Sequence, residues 1–152
     1  MFRRVLFSTD GSQFAEKALP CALDMAKQCG AELRVVTVVE NPVFYGVPEA
    51  TALYDAEFYR SLSTELEKLA KAALERAAKA AADAGVKATT TVRHGTPGDE
   101  IIAEAKDWRA DAVVLSTHGR SGLARLLLGS VANSVVTQAP CPVLVCRVRD
   151  AE

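Results

Sequence analysis

The sequence predicts an α/β fold: an open, doubly wound, five-stranded parallel sheet with helices on both faces. Three observations carry this. Apolar runs of strand length alternate with longer segments of helical period along the chain, as repeated βα units require. Most of the short runs are rich in Val and Leu and do not alternate polar with apolar, which suits strands covered on both faces. Composition does not change along the 152 residues, so a single domain, 1–152, with one core is expected.

The strands are expected at Arg4 to Thr9, Glu32 to Val39, Lys87 to Val92, Ala112 to Ser116 and Pro142 to Val148. After the first strand, Phe14, Ala18, Cys21, Met25 and Cys29 recur at steps of three or four and form one apolar helix face, closed by Gly30. Pro20 removes a backbone donor inside this helix, so a kink near Ala18 or Leu19 is expected. The second helix shows a stripe of Leu62, Leu66, Leu69, Ala73, Ala77, Ala80 and Ala84, with Glu67/Lys71 and Glu75/Lys79 as surface pairs, and ends at Gly85. Thr96-Pro97-Gly98-Asp99 reads as the start of a third helix, with Thr96 as N-cap and Pro97 at the first helical position, and Trp108 closes it. Ser130 is the expected cap of the last helix, whose Val131, Val135 and Val136 should face the sheet. Ala139-Pro140-Cys141-Pro142 then forces extended chain into the fifth strand.

Lys and Arg number 18 against 19 Asp and Glu, a formal net charge of -1, so attraction to nucleic acid has no long-range source. No apolar run approaches the roughly 18 residues that span a bilayer, and Met1 to Phe7 holds only three consecutive apolar residues, too few for a signal sequence. Neither membrane nor nucleic acid is an expected partner, and the expected location is cytoplasmic. Cys21, Cys29, Cys141 and Cys146 show neither CxxC spacing nor companion histidines, so no zinc site is indicated and the thiols read as reduced. Cys21 and Cys29 would lie roughly 12 Å apart on a continuous helix, beyond disulfide reach.

In a doubly wound sheet, ligands bind beyond the carboxyl ends of the strands where the winding reverses. That rule selects Asp10, Val39 with Glu40, Arg93 with His94, and Ser116 to Arg120. The stretch from Ser116 to Ser130 brings three glycines, Gly119, Gly122 and Gly129, up to a helix start. Glycine lets backbone approach phosphate oxygens, and N–H groups at Gly129, Ser130 and Val131 would point along the helix dipole toward an anion. Arg120 and Arg125 would add charge and Ser130 a hydroxyl. The same residues also read as plain turns and an ordinary cap, and Asp10 before Gly11-Ser12 as a turn former. No Lys-Ser or Lys-Thr follows a glycine, so the Walker signature is absent. His118 and His94 lack the base-and-orienter company of nucleophilic catalysis, and Glu104 and Asp107 read as surface positions, leaving no acid–base pair. The segment Glu40 to Asp55, with Pro42, Phe44, Tyr45, Gly46, Pro48 and Tyr54, is long for a βα connection and reads as a lid, a partner surface or a tacked-down loop.

These segments resemble the universal stress protein family along nearly the whole chain, from Arg4-Val5-Leu6-Phe7-Ser8-Thr9-Asp10-Gly11-Ser12 through Asp111-Ala112-Val113-Val114-Leu115 to Cys141-Pro142-Val143-Leu144-Val145. ATP-binding members carry Gly-x2-Gly-x9-Gly-Ser/Thr. Gly119 matches the second glycine and Gly129-Ser130 the end, while Ser116 stands at the first. In a strand conformation Ser116 would be tolerated, whereas a left-handed one would cost about 1 to 2 kcal/mol.

The resemblance implies a Rossmann-like sheet of order 3-2-1-4-5, ATP as ligand and Mg²⁺ held through the phosphates, with no protein metal ligand. By residue, it implies Asp10 as the acidic group near the nucleotide and Val38 as the backbone against adenine. Ser8 and Thr9 line the mouth, Gly119, Gly129, Ser130 and Val131 meet ribose and phosphates, and Ser116 and Arg120 stand beside them. It implies a homodimer through the edge strand Val143 to Val148, and an occupancy switch with slow or no hydrolysis. The alternative from the same residues is a nucleotide-free dimeric interaction module; a redox or flavin protein rests on fold analogy alone.

Overall fold

The computed structural model describes residues 1–40, 56–118 and 127–148. In chain order it contains β1 (Arg4–Ser8), α1 (Gln13–Cys29), β2 (Glu32–Val39), α2 (Ala56–Asp83), β3 (Ala88–His94), α3 (Pro97–Asp107), β4 (Ala112–Ser116), α4 (Ser130–Gln138) and β5 (Val143–Cys146). The strands form one parallel sheet of order β3-β2-β1-β4-β5. Both the fold class and the strand order are those expected, with β3 extending two residues further and β5 shorter.

The sheet separates two apolar layers. On one face, Ala18, Leu19, Ala22 and Ala26 of α1 and Leu74, Ala77 and Ala81 of α2 pack on Val5, Phe7, Leu33 and Val35. On the other, Ile101, Ile102 and Ala105 of α3 and Ala132 and Val135 of α4 cover Leu6, Val36, Val113 and Leu115. Consecutive strand residues therefore serve opposite layers, as period-two geometry demands.

Helix ends follow local chemistry. Ser12 caps α1 by accepting from the Ala15 amide at 3.3 Å, and Gly30 ends it at φ 64°, where a side chain would be strained. The helix runs unbroken across Pro20. Thr96 is the cap residue of α3 and Pro97 its first residue, although the Thr96 hydroxyl makes no capping bond.

Four expectations are corrected. The buried stripe of α2 is Ala70, Ala73, Leu74, Ala77 and Ala81, while Leu69 is 56% exposed; an alanine-rich helix offers several apolar stripes, and sheet packing selects one. Glu67 pairs with His94 at 2.8 Å and Lys79 with Asp83 at 2.8 Å, in place of the pairs expected within the helix. On α4, Ala132 and Val135 are buried, whereas Val131 and Val136 are exposed, because a nine-residue helix touches the sheet along a narrow line.

The fourth correction is the largest. Glu104, read as a surface carboxylate, is 5% exposed. One of its oxygens accepts from Arg34 at 2.9 Å and the other from Arg93 at 2.8 Å. Arg93 also donates to Glu100 at 2.7 Å, and Arg34 lies over the Trp108 ring at 4.8 Å. Glu100 first, then Glu104, hold the Arg93 guanidinium above its ordinary pKa. The network clamps α3 onto β2 and β3. Removing a buried carboxylate strands two guanidiniums, so Glu104→Ala should lower unfolding free energy by about 2 to 4 kcal/mol in urea titrations. The exposed partner Asp107, changed to Ala, should cost less than about 1 kcal/mol.

Candidate functional site

β1 pairs with β2 on one side and β4 on the other. Connections leaving β1 and β4 therefore diverge, and a crevice opens at their carboxyl ends. A cavity of about 350 Å³ lies there, of the size that takes a small ligand.

Ser8, Thr9 and Asp10 form one wall, Val38 the next, and Ser116 with Gly129, Ser130 and Val131 the third. Eight expected site residues, from four segments of the sequence, thus meet around one space. Gly119 and Arg120, with Gly122 and Arg125, lie outside the described residues, as does 41–55 of the long connection. Arg93 and His94 are engaged elsewhere, in the clamp and with Glu67.

At the end of β1, one Asp10 carboxylate oxygen accepts from the Ser12 amide at 2.9 Å, and the Thr9 hydroxyl accepts from the Gly11 amide at 3.1 Å. Asp10 both shapes the turn into α1 and lines the cavity. Gly11, at φ 75°, makes that turn possible.

Val38 presents backbone. Along β2, Glu32 donates to Arg3 and Val36 accepts from Thr9 on the β1 side, while Leu33 donates to Lys87 and Val39 accepts from Gly95 on the β3 side. The alternation turns the N–H and C=O of Val38 toward β1, one step beyond Val36, where β1 has already ended. There the Thr9 carbonyl takes a 2.7 Å bond from the buried Thr37 hydroxyl. A donor and an acceptor on one residue consequently address the cavity.

Ser116 closes β4 in strand conformation, so a side chain at this position carries no left-handed cost. Its hydroxyl donates to the His118 carbonyl at 2.7 Å. The Thr117 carbonyl then accepts from the Gly129 amide at 2.9 Å. This corrects two expectations: the Gly129 amide is spent on Thr117, and Gly129, not Ser130, is the cap residue of α4. Asn133 makes the first intrahelical bond, to Gly129, so the amides of Ser130, Val131 and Ala132 precede the ladder and form the helix's anion-facing end. Gly129 has an ordinary negative φ of -59°; space favours glycine there, because a Cβ would stand 3.0 Å from the Thr117 carbonyl oxygen, closer than most Cβ contacts.

Sequence reasoning missed the walls supplied by Leu66 and Ala70 of α2 and Pro97 and Ile101 of α3. Thr37 had a signal, a hydroxyl inside an otherwise Val-rich strand. His118 lines the cavity with Nδ1 3.0 Å from the Thr117 hydroxyl and its ring 6.2 Å from that of Phe14. Among the described residues, no group of three or more His, Cys, Asp or Glu side chains is placed to hold a metal, and no helix is long and apolar enough to cross a membrane.

Comparison with known proteins agrees with this fold. The universal stress protein family matches residues 1–147. This chain belongs to that family. It is 35% identical to a universal stress protein of Methanocaldococcus jannaschii over 97% of this chain and 83% of the relative. It is also 35% identical to the universal stress protein YxiE of Bacillus subtilis, over 97% of this chain and 100% of the relative. Among solved structures, UspA from Lactobacillus plantarum superposes with a TM-score of 0.84 at 26% identity, covering 96% of this chain and 98% of the other. A universal stress protein in complex with cAMP superposes with a TM-score of 0.68 at 25% identity, covering 96% and 97%.

The tight joint between Gly129 and Thr117 is open to test. Gly129→Ala should destabilise the protein by about 1 to 3 kcal/mol, because backbone and not a pliable side chain must give way; thermal or urea unfolding measures this.

Proposed function

We propose that this chain is an ATP-binding universal stress protein whose nucleotide occupancy acts as a switch. The observation that carries the reading is the convergence of a backbone donor–acceptor pair at Val38 with the amino end of α4 across one cavity. An adenine edge offers a ring-nitrogen acceptor beside an amino donor, the complement of an N–H and C=O on one residue. The Ser130, Val131 and Ala132 amides suit phosphate oxygens. The relative solved with cAMP binds an adenine nucleotide, which supports the same class of ligand here.

The residues fit Mg²⁺ arriving with the nucleotide. A hard cation commonly binds through phosphates and waters with few carboxylates, and Asp10 and Glu40 are the acidic groups on the cavity wall. When bound, the ion would neutralise phosphate charge, while the chain itself orients the base at Val38 and the phosphates at α4.

Purified protein should release adenine nucleotide on denaturation or bind ATP in calorimetric titration, more tightly with Mg²⁺. Gly129→Val should weaken binding at least tenfold, measured where unfolding curves show the destabilised variant still folded. Absence of binding at millimolar ATP would favour the nucleotide-free interaction module.

We also propose a homodimer through β5. This strand is the sheet's edge, and Leu144 upon it and Val136 on α4 are 42% and 45% exposed. Pairing with its symmetry mate would satisfy edge amides and carbonyls and close the assembly. Light scattering at micromolar concentration should give twice the chain mass, and Leu144→Lys should shift it toward one.

A further inference from the structure

We propose that a second cavity, between α1 and α2, binds a free α-amino acid with a small aliphatic side chain, held as its zwitterion by Glu16 and Arg76. The cavity measures about 240 Å³ and belongs to the α1–α2 layer of the fold. That volume falls a little below the range of drug-sized ligand pockets, so its occupant must be smaller than a nucleotide.

The walls select the chemistry of that occupant. The floor is apolar: Phe7 of β1, Leu19 of α1, and Ala73 and Ala77 of α2 are all buried. Alanine at both α2 positions leaves open a space that a larger side chain would fill. The rim carries one carboxylate and one guanidinium. Arg76 donates from Nε to Glu16 Oε1 at 2.8 Å, and both side chains are about half exposed, within reach of a dissolved ligand. The two residues stand 60 positions apart in the sequence, so only the fold brings them to one rim.

Among the described residues, neither side chain makes another hydrogen bond. Glu16 Oε2 remains as an acceptor, and the two Nη groups of Arg76 remain as a donor fork. That fork lies beside the turn into α1, with Nη2 3.8 Å from where a Cβ on Gly11 would stand.

A ligand with a single charge meets a like charge here, a carboxylate at Glu16 or an amine at Arg76. A zwitterion satisfies both ends and leaves the ion pair intact. Its ammonium donates to Glu16 Oε2, and its carboxylate accepts from the Arg76 fork in the bidentate geometry that guanidinium favours. The aliphatic side chain then enters the apolar floor, where its burial supplies the remaining affinity. Thr9 lines both this cavity and the one beyond β1 and β4. The proposal concerns the second cavity alone and holds whether or not nucleotide binds the first.

The test is a titration of the isotope-labelled full chain with L-leucine, followed by amide chemical shifts. Saturating shifts are expected at Thr9, Gly11, Ala73, Arg76 and Ala77, half-complete near ~1 mM ligand. Isocaproate and isoamylamine keep the aliphatic tail with one charge each, and both should bind at least tenfold more weakly. Glu16→Gln and Arg76→Gln should each weaken leucine binding at least tenfold. An exposed ion pair adds little to folding stability, so both variants should stay folded, and shift mapping of the unmodified protein stands independently of them. Shifts at Val38 and Ser130 in place of the α1–α2 residues, equal binding of either one-charge analogue, or undiminished binding by folded variants would each overturn the proposal. So would the absence of any saturable shift up to about 20 mM L-leucine.

Discussion

Parallel pairing of β1 with both β2 and β4 governs the rest of this structure. Once β1 is central, the helices that follow it and β4 must leave in different directions, and no backbone fills the space between. Everything chemically interesting then faces that gap: the Asp10 turn, the Val38 backbone and the amino end of α4. Pairing β1 so deeply requires fully apolar faces, and Val5, Leu6 and Phe7 are among the most buried residues of the chain. Fold and site therefore follow from one short segment.

The second constraint is close approach. Gly98 of α3 would, with a Cβ, meet the Ser134 hydroxyl of α4 at 2.7 Å, and Gly129 would meet the Thr117 carbonyl at 3.0 Å. The two glycines let α4 settle against α3 and against the end of β4. The charged clamp of Glu104 with Arg34 and Arg93 sets α3 itself. The position of the α4 amino end, on which any phosphate contact depends, is thus fixed by two bare backbones and a buried ion network.

Strand positions and sheet order were legible because Val-rich runs separated by helical periods leave little choice of topology. Asp10 and the Gly129-Ser130 pair were legible because they lie at a strand end and a helix start, whereas Val38 came from the family resemblance, the winding rule having selected Val39 with Glu40. What stayed hidden depends on contacts distant in sequence. The stripe of α2 could not be chosen among equivalent alanine faces; Glu104 looked like any helix carboxylate until Arg34 and Arg93 closed on it. The Gly129 amide looked available until Thr117 claimed it.

The central claim is that the crevice beyond β1 and β4 holds an adenine nucleotide between the Val38 backbone and the amino end of α4. A crystal structure with ATP and Mg²⁺ tests it most directly. The expected result is the base edge within hydrogen-bond distance of the Val38 N–H and C=O, with phosphate oxygens at the Ser130 to Ala132 amides. A crevice filled by the protein's own side chains, or nucleotide bound elsewhere, would contradict it.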